Sequence, residues 1–213
     1  MLLVNSIFTS ISGEVGAIPQ GTPVTFIRLQ GCNLRCPYCD TAHSWDHESG
    51  YQMSIDEVIS YVKTKNVVLT GGEPLIQLQW SPLAVKLMSL NHKVQVETNG
   101  TRPVDETLRI CYVVDQKMFL SPEQRQPGKN TIQLSGAGSW LKYVVSNQTE
   151  LTETVCELLD DIRFLRCKLA ISVVNDENGA PMIPYGHVIN ELISNGLDNV
   201  VVNFQIHKLV DLP

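Results

Sequence analysis

The stretch GCNLRCPYCDT, residues 31–41, carries Cys32, Cys36 and Cys39. It follows TPVTFIRL, residues 22–29, whose β-branched and aromatic residues read as a strand. Three thiols on a short loop after a strand can grip one metal centre. An iron–sulfur cube has four irons and normally takes four cysteines. Three leave one iron without a protein ligand and open to a small molecule. Gly31 lets the backbone turn sharply at the strand end, and Asn33 and Pro37 suit a wrapped loop. Zinc is the alternative. Cys36, Cys39, His43 and His47 also supply four ligands, with a pair spacing short for a usual finger.

Around this loop, short apolar runs alternate with amphipathic stretches. Strands are expected over residues 66–70, 93–98, 111–115, 139–146, 167–174 and 199–205, and helices over 54–62, 81–90, 151–165 and 184–196. Ser54 and Glu57 have the spacing of a capping box. Pro82 suits a first helical position, Thr149 a cap, and Gly196 a stop. Strands alternating with helices predict a parallel sheet with ligands at the strands' C-terminal ends. Gly31, Thr70, Asn99, Asp115, Ser172 and Gln205 fall at those ends. The expected fold is α/β: an incomplete TIM-like β/α barrel of about six parallel strands rather than a closed eightfold one. One domain is expected over residues 1–213. Residues 118–138 read as irregular, a functional loop or a lid.

The formal net charge is −6, which argues against non-specific binding along a nucleic-acid backbone. No window approaches the ~20 apolar residues of a membrane span. The start, MLLVNSIFTSISGE, lacks the positive n-region of a signal peptide. A soluble cytoplasmic protein is expected. Six cysteines are too few for a disulfide scaffold. Cys111, Cys156 and Cys167 read as small buried hydrophobes, and His43, His47, His92 and His187 as structural or solvated.

The C-x3-C-x2-C spacing, with TGGEP at residues 70–74 ending the next strand, resembles the radical S-adenosylmethionine enzymes. The resemblance implies a [4Fe–4S] cluster on Cys32, Cys36 and Cys39. It implies S-adenosyl-L-methionine chelating the fourth iron and yielding a 5′-deoxyadenosyl radical. Gly72 and Glu73 would meet the methionine amino group, because glycines admit close approach and a carboxylate pairs with an ammonium. Pro37, Tyr38, Cys39, Asp115, Gln116 and Lys117 would also contact the cofactor.

Finer matches run through IFTSISGEVG, FIRLQGCNLRCPYCDT, TGGEP, VETNGT, VVDQK, LKYVV and FQIHK, nearly the whole chain. They resemble the 7-carboxy-7-deazaguanine synthases of queuosine and deazapurine biosynthesis, and the Asp40-Thr41 pair discriminates best. The resemblance implies conversion of 6-carboxy-5,6,7,8-tetrahydropterin to 7-carboxy-7-deazaguanine and ammonia, through hydrogen abstraction at C6, ring contraction and hydrogen return. Ile11, Ser12 and Gly13 would line the pterin, and Glu14 would accept from its guanidine-like edge. Arg28 would pair with its carboxylate; an Arg in an apolar strand demands an anion in any case. Thr41 would ligate Mg2+, Thr70 would contact substrate, and His207 and Pro213 would close the substrate side. An electron donor such as flavodoxin and a homodimer are implied as well. No general base is legible. Gly13-Glu14-Val15 and the stretch after Ser172 depart from the family pattern. Two alternatives stand beside this reading: an activase that installs a glycyl radical on a partner protein, and a zinc-stabilised interaction module.

Overall fold

The computed structural model describes residues 1–125, 129, 138–161, 166–210 and 212–213. Among them, nine strands form one sheet in the order β3-β1-β2-β4-β5-β6-β7-β8-β9. The strands are β1 (Leu2–Ile11), β2 (Pro23–Leu29), β3 (Tyr51–Met53), β4 (Asn66–Gly71), β5 (Lys93–Thr98), β6 (Cys111–Lys117), β7 (Trp140–Val145), β8 (Lys168–Val173) and β9 (Val200–Asn203). From β2 to β9 neighbours run parallel; β1 is antiparallel to both β2 and β3. The parallel run therefore has seven strands, each of them read from the sequence, with an N-terminal hairpin added. β1 was missed in the sequence because its burial does not alternate: Ser6, Ile7 and Phe8 are all half-buried.

The helices cover the outer face. They are α1 (Ile55–Ser60), α2 (Trp80–Ser89), α3 (Gln148–Asp161) and α4 (Tyr185–Ser194); the short α5 (Ile206–Leu209) lies at the cavity instead. Ser54 accepts from the Glu57 N–H while Glu57 returns a bond to the Ser54 N–H, the box its spacing predicts. Pro82 lies two residues inside α2, still in the first turn, where its missing N–H leaves no helical bond unmade. Asn147, not Thr149, caps α3: its Oδ1 accepts the Glu150 N–H at 3.0 Å. Gly196, with φ 65°, ends α4. The large core packs these helices on Val67, Leu69, Val94, Val96, Tyr112, Val114, Leu141, Tyr143, Leu169 and Ile171 of the outer face. Cys111 is buried, but Cys156 is exposed on the solvent side of α3, contrary to its reading as a buried hydrophobe. Within the segment 118–138, residues 122–125 are helical rather than irregular. Residues 126–128 and 130–137, and the expected end of α3 at 162–165, lie outside the described residues.

The sheet curls without closing. Residues 12–22, between β1 and β2, span from the first strands to the last. The Val15 N–H donates to Asn203 Oδ1 at 2.9 Å, and the Ile206 N–H to Gly13 O at 3.0 Å. The same loop plugs the lower half of the concave face. Ala17 N–H donates to Gln95 Oε1 at 3.1 Å. Val15 packs on Cys111, Val113, Trp140 and Ala170, and Ile18 on Val24 and Val68. The upper half stays open, at the C-terminal ends of the parallel strands. No helix among the described residues is long and apolar enough to cross a membrane.

Candidate active site

The open upper half is a cavity of about 1070 Å³, at the large end for a small-molecule site. Cys32, Cys36 and Cys39 form one side of it. They sit on the loop after β2, which two backbone approaches hold against the loop after β4. The Gly72 N–H donates to Leu29 O at 3.0 Å, and the Glu73 N–H to Gly31 O at 2.9 Å. A Cβ on Gly72 would lie 2.2 Å from Gly31 O, and Gly31 itself has φ +95°. Glycine is needed at both places. Gln30, buried at the end of β2, ties down the far side of the loop through its amide to Asp46 O and Ser49 Oγ.

The three thiols are free and electrostatically coupled to one another. Burial pushes the Cys36 thiol up to about 11, so its thiolate needs a metal to form at neutral pH. The chemistry of the set fits a multi-iron cluster: three soft sulfur ligands on one wall, with cavity in front of them. The zinc alternative does not assemble. His47 lines a separate cavity of about 290 Å³, beside Met1 and Gln77. No three His, Cys, Asp or Glu among the described residues converge as they would on a single ion.

The same cavity is lined by a belt of charge on the concave face. Arg28 and Thr70 are register partners on β2 and β4, and Asp115 and Lys142 on β6 and β7. The Lys142 ammonium bonds Glu14 Oε2 and, at 3.1 Å, Asp115 Oδ1. Lys117 bonds the other oxygen of Asp115 at 3.1 Å. Gln205 Nε2 donates to Glu14 Oε1 at 2.6 Å. Burial pushes the Glu14 carboxyl up, but Lys142 and Gln205 together outweigh it and hold Glu14 below its ordinary value. Burial lowers the Lys142 ammonium, but Asp115, Glu14 and Glu97 outweigh it and hold the group above its ordinary value, charged. Burial likewise lowers Arg28, against Glu97 and Asp40.

Among the described residues, Glu97, on β5, makes no ion pair within 4 Å, although Lys142 and Arg28 act on it from further off. Gln95 Nε2 donates to its Oε1 at 3.5 Å. Burial, then the neighbouring Glu14, raises its carboxyl to about 7. It therefore exchanges a proton near neutrality, which suits acid–base work. Neither Glu97 nor Lys142 was singled out in the sequence. The only signal was a charge inside an apolar strand, VQVET and WLKYVV.

The C-terminal segment roofs the cavity. His207 lies over Gly13, where an added Cβ would fall 1.9 Å from its Nδ1. Burial keeps the imidazole below its ordinary value, hence neutral. Lys208 Nζ bonds Asp40 Oδ2 at 3.0 Å, joining this segment to the cysteine loop. Pro213 also lines the cavity.

Most residues expected at the site share this one space: Gly13, Glu14, Arg28, Pro37, Tyr38, Thr41, Thr70, Gly72, Asp115, Lys117, His207 and Pro213 beside the cysteines. Four lie behind its surface. Ile11 is a ladder partner of Pro23. Ser12 bonds Ile18 O through its hydroxyl. Gln116 points to the outer face, its amide on Arg125 O at 3.4 Å. Glu73 is fully buried and accepts from Leu75 N, Thr98 Oγ1 and Asn99 N. Burial raises it to about 7 despite those donors.

The model of the radical SAM superfamily matches residues 26–111, which hold both the cysteine loop and the Gly-Gly-Glu turn. With the three-thiol wall and the curled parallel sheet, this makes the chain a radical S-adenosylmethionine enzyme, which implies a [4Fe–4S] cluster and S-adenosylmethionine. The chain is 43% identical to the 7-carboxy-7-deazaguanine synthase of Methanospirillum hungatei, over 99% of this chain and 86% of that one. It is 35% identical to that of Hyperthermus butylicus (83% and 79%) and 30% identical to that of Aquifex aeolicus (100% and 94%). The crystal structure of QueE from Escherichia coli matches with a TM-score of 0.69 over 96% of this chain and 93% of that one; at 20% identity it supports the fold. The chain belongs to the 7-carboxy-7-deazaguanine synthase family. That membership decides against the activase alternative.

Proposed function

We propose that the chain contracts 6-carboxy-5,6,7,8-tetrahydropterin to 7-carboxy-7-deazaguanine with loss of ammonia. The observation that carries this is one cavity lined both by the three thiols and by Arg28, Glu14 and Glu97. A set of thiols able to hold a metal centre thereby shares its space with groups suited to a small, polar, carboxylated heterocycle.

Bound at the thiols, the cluster and S-adenosylmethionine supply a carbon-centred radical; the protein supplies placement. Arg28, deep on β2, pairs with the substrate carboxylate through its planar fork. Glu14 accepts from the guanidine-like edge of the pterin, held in place by Lys142 and Gln205. Glu97, with its proton in balance near neutrality, serves the proton transfers that ring contraction and ammonia loss require. Thr41 offers its hydroxyl to Mg2+. It makes no capping bond to the short turn Ala42–Ser44 that follows it, and its Oγ1 lies 3.6 Å from Cys39 Sγ. Few protein ligands suit a magnesium ion shared with a substrate oxygen. Asp115 and Lys117 line the cofactor side, and His207 and Pro213 the substrate side. An electron donor such as flavodoxin and a homodimer complete the reading.

The test is an anaerobic assay of reconstituted protein with the pterin, S-adenosylmethionine and a reductant. The reading expects 7-carboxy-7-deazaguanine and about four iron per chain. One zinc and no iron, or iron with no deazaguanine product, overturns it.

A further inference from the structure

The buried turn after β5 has no assigned role, yet its side chain aims at a cluster ligand. Asn99 Nδ2 lies 3.0 Å from Asn33 Oδ1 and 3.8 Å from Cys32 Sγ. The orientation of this amide is fixed. The Thr101 main-chain N–H donates to Asn99 Oδ1 at 3.0 Å, and a backbone N–H can only donate. The Thr101 hydroxyl adds a second bond to the same oxygen at 2.7 Å and accepts from Asn33 Nδ2 at 2.8 Å. Asn33, Thr101 and Asn99 thus close a ring of hydrogen bonds. Flipping Asn99 would set its oxygen against both Asn33 Oδ1 and the Cys32 sulfur. From behind, Glu73 holds the turn by accepting the Asn99 N–H at 2.6 Å.

We propose that Asn99 is a positioning residue for the iron–sulfur centre, its amide donating to the Cys32 thiolate and raising the reduction potential of the cluster. This rests on the cluster reading above. Cys32 then carries two N–H donors, since the Leu34 N–H lies 3.4 Å from the same sulfur. Among the described residues, Cys39 Sγ has the Thr41 hydroxyl as its hydrogen-bond partner. Reduction adds negative charge that spreads onto the sulfurs, and an N–H aimed at one of them favours the reduced state. The donor is buried at 6% exposure, so water does not replace it when it is removed.

The experiment is an EPR-monitored redox titration of reconstituted protein without S-adenosylmethionine, comparing the parent with Asn99→Leu and Thr101→Val. Asn99→Leu removes the donor. Thr101→Val keeps the backbone bond, and with it the amide's orientation, but removes the hydroxyl that seats both Asn99 Oδ1 and Asn33 Nδ2, so the amide is held less closely against the Cys32 sulfur. Both midpoints fall, Asn99→Leu by more. A tenfold loss in the reduction equilibrium reads as ~59 mV for one electron. Unchanged midpoints at matched iron content overturn the proposal. If Asn99→Leu takes up no cluster, Thr101→Val decides alone by the same criterion. A parent that binds no iron fails the cluster reading first and is seen before any variant is made.

Discussion

Lys142 on β7 bonds Glu14, 128 residues earlier in the chain, and so joins the start of the fold to its far side inside the cavity. The same ammonium also serves Asp115. Removing it leaves Glu14 without its cation, while Asp115 keeps Lys117. Lys142→Met is expected to cost about 3–5 kcal/mol of stability and to weaken pterin binding. Denaturant unfolding of the parent and variant, with substrate affinity alongside, measures both.

Arg28→Ala removes the one cation on β2. Substrate affinity is expected to fall by about 2–5 kcal/mol if the partner is a desolvated carboxylate. Cofactor cleavage without substrate should persist. Unchanged affinity takes Arg28 out of the site.

Glu97 sets a pH dependence. Its folded value, about 7, lies above its ordinary value of 4.5. Between the two the folded chain holds more protons than the unfolded one, so its stability falls as pH rises through that window. Glu97→Gln removes this loss. The variant should be more stable than the parent by about 1–3 kcal/mol at pH 8 and nearly equal to it at pH 4. Unfolding curves at the two pH values give the answer. A variant no better at pH 8 means that the carboxylate is solvated or paired.

Gly13→Ala drives a methyl into the His207 ring. The roof must lift to accommodate it. Turnover should drop at least tenfold, an overpacking cost of about 1–3 kcal/mol, while iron content and cofactor cleavage without substrate stay near the parent's. Loss of iron would place His207 nearer the metal than its ring over Gly13 suggests.

Thr41→Ala should impair turnover and relieve its dependence on added Mg2+, with uncoupled cofactor cleavage retained. Cleavage lost in parallel would remove the magnesium role.

The local devices were legible because each is written in adjacent residues. The cysteine spacing, the Gly-Gly-Glu turn, the Ser54–Glu57 box and the Gly196 stop need no tertiary context. What stayed hidden needs the curl of the sheet. Glu97 and Lys142 are single charges in runs that otherwise read as core strands, and only the curvature of β5 to β7 turns them toward a common space. Asn99 reads as an ordinary turn residue until Thr101 fixes its amide. Ile11 and Ser12 were carried over by resemblance with their neighbours; the first sits in the hairpin ladder and the second bonds the Ile18 carbonyl, behind the cavity's lining.

The gap between β9 and the first strands is spanned by residues 12–22 and the chain after β9, not by a strand ladder. That seam is therefore held by single bonds around Gly13, Gln20 and Phe204. Lys208 carries the same tie across to Asp40, so a shift of the roof would be felt at the cysteine loop.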